Sequence, residues 1–179
     1  MSWIQTYTGK KFDLLDPQPD MICIEDIAHA LSNLCRFTGH CRDFYSVAQH
    51  SVFVANTVVT NQYRLWALLH DATEAYVADM SSPLKRLIPD YQEIEARVWR
   101  AIAERFGLPL GPAAEIKHFD MIMLLTERRD LMGPPVEPWY EELEALSDQL
   151  LVGQIQPWTP HQAKSIFLSE YKRHSARND

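Results

Sequence analysis

The period of the apolar positions changes near residue 24. Before it, Trp3-Ile4-Gln5-Thr6-Tyr7 is rich in β-formers, Thr8-Gly9-Lys10 reads as a turn, and Lys11-Phe12-Asp13-Leu14-Leu15 can return. That pattern predicts a short β-hairpin. Asp16-Pro17-Gln18-Pro19-Asp20 closes the extended arm, because two prolines break any ladder. From Ile24 onward, Ile24, Ile27, Leu31 and Leu34 mark one face of a helix, with Gly39 as its stop. A second helix begins near Ser46. Its two apolar stripes, Val47/Ser51/Val54/Val58 and Ala48/Val52/Ala55/Val59, are broad enough to place it centrally in a core. A third helix is predicted from Gln62 to Val77, with Leu65, Trp66, Leu68, Leu69 and Ala72 inward and a break at Ser81-Ser82-Pro83.

Ile94, Val98, Ile102 and Phe106 define a fourth helix, ended by Gly107 and Pro109. A fifth starts at Pro112 and carries Ile116, Phe119, Ile122, Met123 and Leu124. Gly133-Pro134-Pro135 interrupts the chain. Residues 134–158 read as an irregular excursion with one short helix near Glu141–Leu151. Thr159-Pro160 caps a last helix bearing Ala163, Ile166, Phe167 and Tyr171, frayed from Ser175. The prediction is a single all-α domain over residues 1–179 with a small N-terminal hairpin. Residues 1–23 form the hairpin and arm, 24–131 the helical core, and 132–179 the excursion and final helix.

Composition narrows the function. A chain of 179 residues, 46% apolar and 23% charged, suits one soluble globular core. Seventeen basic against 24 acidic residues give a net charge of −7, which argues against a non-specific duplex binder but leaves room for a local basic pocket. Cys23, Cys35 and Cys41 are spaced neither as a disulfide framework nor as a zinc knuckle, so reduced thiols are expected. The sequence contains no apolar run of transmembrane length and no secretory pattern at its start. The expectation is a cytoplasmic protein with no membrane partner and no nucleic-acid polymer partner.

The chemistry concentrates on three central helices: His50 on the second, His70-Asp71 on the third, Asp120 on the fifth. A single histidine on an apolar helix is most often a satisfied core residue. Here, however, Asp71 follows Trp66-Ala67-Leu68-Leu69 and Asp120 lies between Phe119 and Met121. An ionised carboxylate in such surroundings is costly to bury alone, and a cation resolves the cost. Two imidazoles and two carboxylates suit one borderline divalent ion such as Mn, Co, Ni, Fe or Zn.

The local sequences Tyr45-Ser46-Val47-Ala48-Gln49-His50-Ser51, Leu68-Leu69-His70-Asp71-Ala72-Thr73-Glu74 through Ser82-Pro83-Leu84-Lys85, and Ile116-Lys117-His118-Phe119-Asp120 together resemble the HD-domain phosphohydrolases. The resemblance runs from the hairpin to about residue 130. It is closest to small bacterial 5′-deoxynucleotidases and phage-encoded dATP triphosphohydrolases, and Tyr7 to Phe12 with Arg36 to His40 look more like the phage and prophage kind. It implies an HD-domain helical bundle that hydrolyses (deoxy)nucleotides. The product would be phosphate from a deoxynucleoside 5′-monophosphate or tripolyphosphate from a dNTP such as dATP.

It further implies that His50, His70, Asp71 and Asp120 bind one divalent ion (Mn, Co, Ni, Fe, Zn or Mg). Glu74 and Asp79 would handle water and leaving-group protons, with Arg36, His40 and Lys85 at phosphate or sugar and Phe37 and Pro83 around the base. Relatives of this kind are often oligomeric, so a homo-oligomer is expected. Two other classes remain: hydrolysis of cyclic nucleotides or guanosine alarmones, and a non-catalytic metal or nucleotide-binding module. Arg42 is a further basic candidate without a match. His29, His118, His161 and His174 read as structural or exposed. Glu127-Arg128-Arg129-Asp130 reads as a solvated helix end. Trp139 and Trp158 suit a subunit contact or internal packing equally.

Overall fold

The hairpin forms at its expected place, trimmed to strands β1 (Trp3–Gln5) and β2 (Lys11–Asp13), which pair antiparallel with Ile4 opposite Phe12. The computed structural model describes residues 1–111 and 113–176, so Pro112 and residues 177–179 lie outside the described residues. Gly9 takes a φ of +85° at the turn, a conformation open to glycine at no steric cost. Phe12 is fully buried and stacks on Tyr76 at 3.9 Å between ring centroids. Buried Asp26 accepts from the amide and hydroxyl of Thr8 at 2.6 and 2.9 Å. The hairpin is thereby fastened to the helices behind it.

Helices α1 (Ile24–Asn33), α2 (Val47–Thr57), α3 (Arg64–Leu69), α4 (Glu74–Val77), α5 (Ser82–Lys85), α6 (Pro89–Phe106), α7 (Ala114–Leu131), α8 (Glu141–Glu144) and α9 (Pro160–Ser175) follow. The architecture is mainly helical with one two-stranded sheet. As its two stripes predict, α2 is central: Val47 to Val52, Val54 and Ala55 are all buried. The final helix, α9, inserts Ala163 and Phe167 into the same core and packs on α1, α2 and α3. Its start is the predicted one, with Thr159 and Gln162 forming a reciprocal capping box. Among the described residues, no helix is long and apolar enough to cross a membrane.

Three boundaries differ from the sequence reading. α1 stops at Asn33, not Gly39, because Cys35 leaves the helix to bridge Ser46. The expected helix from Gln62 to Val77 divides into α3 and α4. Between them, amides bond three residues back, Ala72 to Leu69 and Glu74 to Asp71, each at 3.0 Å. His70 Nδ1 also meets the Ala67 carbonyl at 2.6 Å, the acceptor that a continuing α-helix would give to the next amide. The short helix expected over 141–151 covers only 141–144.

The excursion is held by specific bonds. Arg128 forks onto Glu144 at 2.5 and 2.9 Å, and the Trp139 amide donates to the same carboxylate at 3.1 Å. Arg129 donates to the Leu151 and Gly153 carbonyls at 3.0 and 2.6 Å, and Asp130 accepts from the Ile155 amide at 2.9 Å. Gln49, fully buried on α2, clamps the segment ahead of α9 by bonding the Gln156 carbonyl and the Trp158 amide, both at 2.8 Å. Trp158 packs edge-on against Phe53, an internal contact.

The Arg128 fork, followed by the Trp139 amide, holds the Glu144 carboxyl down to about 2. A carboxyl lowered in the folded state adds stability above its unfolded pKa of about 4.3 and loses it as pH falls toward the folded value. NMR titration of the Glu144 carboxyl is expected to show a midpoint near 2. In Arg128→Met the midpoint should move toward the ordinary carboxylate range.

Candidate metal centre

Helix α2 starts at Ser46, whose hydroxyl accepts from the Gln49 amide at 3.2 Å, and its next turn carries His50 into full burial. The break between α3 and α4 carries His70 and Asp71, and α7 brings Asp120. One donor atom each from His50, His70 and Asp120 lies within 4.8 Å of the others. His50 Nε2 is 3.1 Å and His70 Nε2 3.9 Å from Asp120 Oδ1. Asp71 Oδ2 lies 3.5 Å from His50 Nε2 and 3.3 Å from His70 Nε2. Three of the four residues predicted as ligands, His50, His70 and Asp120, therefore form one group, and Asp71 stands beside both imidazoles outside it.

The remaining ring nitrogens show how the imidazoles are oriented. His70 Nδ1 faces the Ala67 carbonyl, which can only accept, so Nδ1 carries the proton. His50 Nδ1 faces Glu127 Oε1 at 2.6 Å. In the neutral rings both lone pairs then sit on Nε2. Both Nε2 atoms are buried without a hydrogen-bond partner among the described residues. Two such nitrogens aimed between two carboxylates fit a divalent cation, and the bonds at Nδ1 are those that orient metal-ligating histidines. The His50, His70 and Asp120 group could hold a metal ion.

The electrostatics demand positive charge at this point. Burial and Arg36 oppose a charge on His50, yet Glu127 and Asp120 outweigh them and push its pKa up to about 9. His70 is raised likewise: burial opposes its charge, and Asp71 and Asp120 restore it. Burial works against ionised Asp120, but the neighbouring imidazoles of His50 and His70 hold its carboxyl well below the usual range.

Glu127 corrects the sequence reading most sharply. The run 127–130 looked like a solvated helix end, whereas Glu127 is fully buried. Its carboxylate accepts from Tyr45 at 2.9 Å and from Arg36 Nε and Nη2 at 3.0 and 2.9 Å, besides meeting His50. Burial pushes its pKa up, and the Arg36 and His50 charges bring it below the usual value. The sequence did carry a signal, because Glu127 follows Asp120 by seven residues and so shares its helix face. Three charged neighbours masked it.

Arg36 is nearly buried, fixed by Glu127, with Nη1 3.8 Å from Asp71. Phe37 is half-buried under the Arg36 guanidinium, 5.3 Å from the ring centre. Trp139 lies 6.3 Å from it between ring centroids, and Pro83 is exposed in the first turn of α5. Tyr140 follows Trp139 in the chain: burial and then the charge of Asp120 raise its phenol, and Arg86 opposes this. Lys85 is bound to Glu95 at 2.6 Å, and His40 is exposed at the end of the 36–40 turn. Arg42 opens instead onto a cavity of about 380 Å³ with Arg128, Arg129 and Met132, which none of the four predicted ligands lines.

Glu74 is buried and its Oε2 has no partner among the described residues; Asp79 is half-buried. Burial, followed by the charges of Asp71 and Asp79, lifts the Glu74 pKa well above its usual value. The histidines read as non-ligands stand apart: His29 stacks on Tyr7, His174 meets Glu170, His118 lies beside Phe119, and His161 is exposed.

Backbone strain gathers here as well. Phe37, Thr38 and Ala78 are the positive-φ residues other than glycine among the described residues. Such conformations cost of order 1–3 kcal/mol each and persist only where their surroundings impose them. Two follow Arg36 directly, and the third precedes Asp79.

No family model matches the chain. It is similar to "Uncharacterized protein YfdR" of Escherichia coli (strain K12), 43% identical over 171 residues that span 96% of this chain and 94% of that protein. It is also similar to "Uncharacterized protein RCAP_rcc00048" of Rhodobacter capsulatus, 43% identical over 125 residues, 65% of this chain and 64% of the relative.

Replacing Glu127 by Ala strands the buried Arg36 charge and is expected to lower stability by about 3–5 kcal/mol, read from urea unfolding. Adding Mn²⁺ at about a hundred times its Kd is expected to stabilise the fold by about 2.7 kcal/mol. That corresponds to a rise in Tm of roughly 5–11 °C, which His70→Ala/Asp71→Ala should abolish.

Proposed function

The chain belongs to the family of the Escherichia coli protein YfdR, and we propose that it is an HD-type, metal-dependent phosphohydrolase of nucleotides, suited best to a deoxynucleoside 5′-monophosphate. One observation carries the reading. Two buried imidazoles, each anchored through Nδ1, turn partnerless Nε2 atoms toward Asp71 and Asp120. Simple core packing gives no reason for that arrangement. A divalent cation held by His50, His70, Asp71 and Asp120 would supply Lewis-acid polarisation of a phosphoryl oxygen and a more acidic water.

The chain's own groups account for the rest of the reaction. Burial opposes the Arg36 charge, but Glu127, Asp71 and Asp120 more than offset it, so the guanidinium stays cationic. Its Nη1 side is directed toward Asp71, where it can grip a phosphate oxygen while Glu127 fixes the other edge. Glu74 offers a buried oxygen without a partner and a raised proton affinity, which suits taking a proton from the attacking water through Oε2. Asp79, beside it, is the group to assist the leaving 5′ oxygen. Phe37 and Trp139 supply aromatic surface at the mouth, where a base can stack.

The charge count favours one phosphate. Arg36 and Lys85 are the predicted phosphate-binding cations, and each is already paired, with Glu127 and Glu95 respectively. A triphosphate chain asks for more free positive charge than that pair leaves. Metal-free protein reloaded with Mn, Co or Mg and given dAMP, dATP, AMP or ATP tests this by anion-exchange product analysis. Phosphate from dAMP is expected, with Glu74→Gln lowering kcat by about 10²–10⁴ at unchanged metal affinity. Tripolyphosphate from dATP would make the enzyme a triphosphohydrolase. No metal-dependent product from any of the four would overturn the reading in favour of a binding module or a cyclic substrate.

A further inference from the structure

Helix α4 ends in a conformation that its sequence does not favour. Ala78 has φ 69° and ψ 161°, a region occupied almost only by glycine. Its methyl group is exposed, so packing of that side chain is not what imposes the shape. Both polar groups of the residue are held instead. The Ala78 amide donates to the Glu74 carbonyl at 2.9 Å, and its carbonyl accepts from the Tyr91 hydroxyl at 2.9 Å. Asp79 comes next in the chain.

Tyr91 is itself braced. It stands in the first turn of α6, with the Lys85 ammonium 5.7 Å from its ring centre. The same ammonium is bound to Glu95 at 2.6 Å, and Gln92 Nε2 donates to the Lys85 carbonyl at 2.8 Å. The α5–α6 corner is thus a support that reaches the end of α4 through one phenol oxygen. That oxygen holds the peptide between the two carboxylates with proton-handling roles: Glu74, whose carbonyl bonds the Ala78 amide, and Asp79, whose backbone follows the Ala78 carbonyl.

We propose that Tyr91 is a positioning residue: its hydroxyl holds the strained Ala78 carbonyl and so fixes the turn that presents Asp79 beside Glu74. The proposal rests on the hydrolase reading of the site and adds a residue outside the predicted metal-ligand and substrate-binding set. It requires that strain and brace be coupled. Where the turn is unstrained, the brace is dispensable.

Tyr91→Phe deletes the oxygen and keeps the ring over Lys85. With dAMP and Mn²⁺, kcat is expected to fall about tenfold with KM within about twofold, since a small misplacement of a reacting group costs rate more than binding. Hydrogen exchange at the Ala78 amide, which is bonded to the Glu74 carbonyl, is expected to quicken about fivefold, with Mn²⁺ affinity by calorimetry unchanged. In the Ala78→Gly background, where the conformation carries no strain, the same substitution should change kcat by less than about threefold.

Unchanged exchange in Tyr91→Phe overturns the proposal. Faster exchange with unchanged kcat also overturns it, leaving Tyr91 a structural brace, and so does an equal loss of kcat in the Ala78→Gly background. A wild-type protein that binds Mn²⁺ but hydrolyses nothing overturns the hydrolase reading itself, while the exchange result still decides whether Tyr91 holds the turn.

Discussion

The carboxylate of Glu127 is the interaction on which the rest of the site depends. It lies on α7 at full burial and joins Arg36 after α1, Tyr45 before α2 and His50 on α2. Three residues of one stretch, 91, 82 and 77 positions earlier in the chain, are thereby fixed to one pair of oxygens. A buried carboxylate left alone would be expelled or neutralised, so its partners are obligatory. In binding them it also orients them: it takes the Nδ1 side of His50, turning Nε2 inward, and one edge of Arg36, leaving the other near Asp71. The geometry of the centre follows from satisfying one buried charge.

The same logic extends outward. Asp71, Asp120, Glu74 and Asp79 gather close to Arg36 and Lys85, and Glu127 and Glu95 have already claimed those two cations. The centre is short of positive charge, and the proton affinities of His50 and His70 rise to meet the deficit. A divalent cation answers the same need with the donor atoms already converged. The neighbouring strain fits this picture. Phe37, Thr38 and Ala78 keep unfavourable backbone angles because rigid helices, a two-point hold on Ala78 and the Arg36 anchor leave the chain no cheaper path.

The short N-terminal hairpin and the late excursion belong to the same construction. Phe12 stacks on Tyr76 of α4, behind the turn that carries Glu74. Trp139 is set opposite Phe37 by the Arg128 fork onto Glu144 and by its own amide bond to that carboxylate. Segments that look peripheral along the chain thus support one wall each of the centre.

The sequence by itself determined the mainly helical fold, the hairpin, the central place of α2 and the residues that meet at the centre. Those follow from local rules: the apolar period decides helix or strand, and a histidine or aspartate inside an apolar run needs a partner. It also contained the seven-residue step from Asp120 to Glu127, hidden within a charged run. Only the tertiary structure decided that Glu127 is buried and that α3 breaks at His70. Only the structure set Trp139 beside Phe37 and bound Tyr91 to the Ala78 carbonyl. Each of these depends on which distant segment arrives to share a hydrogen bond or a ring face. Periodicity reports the side of an element that turns inward, but it carries no information about what waits there.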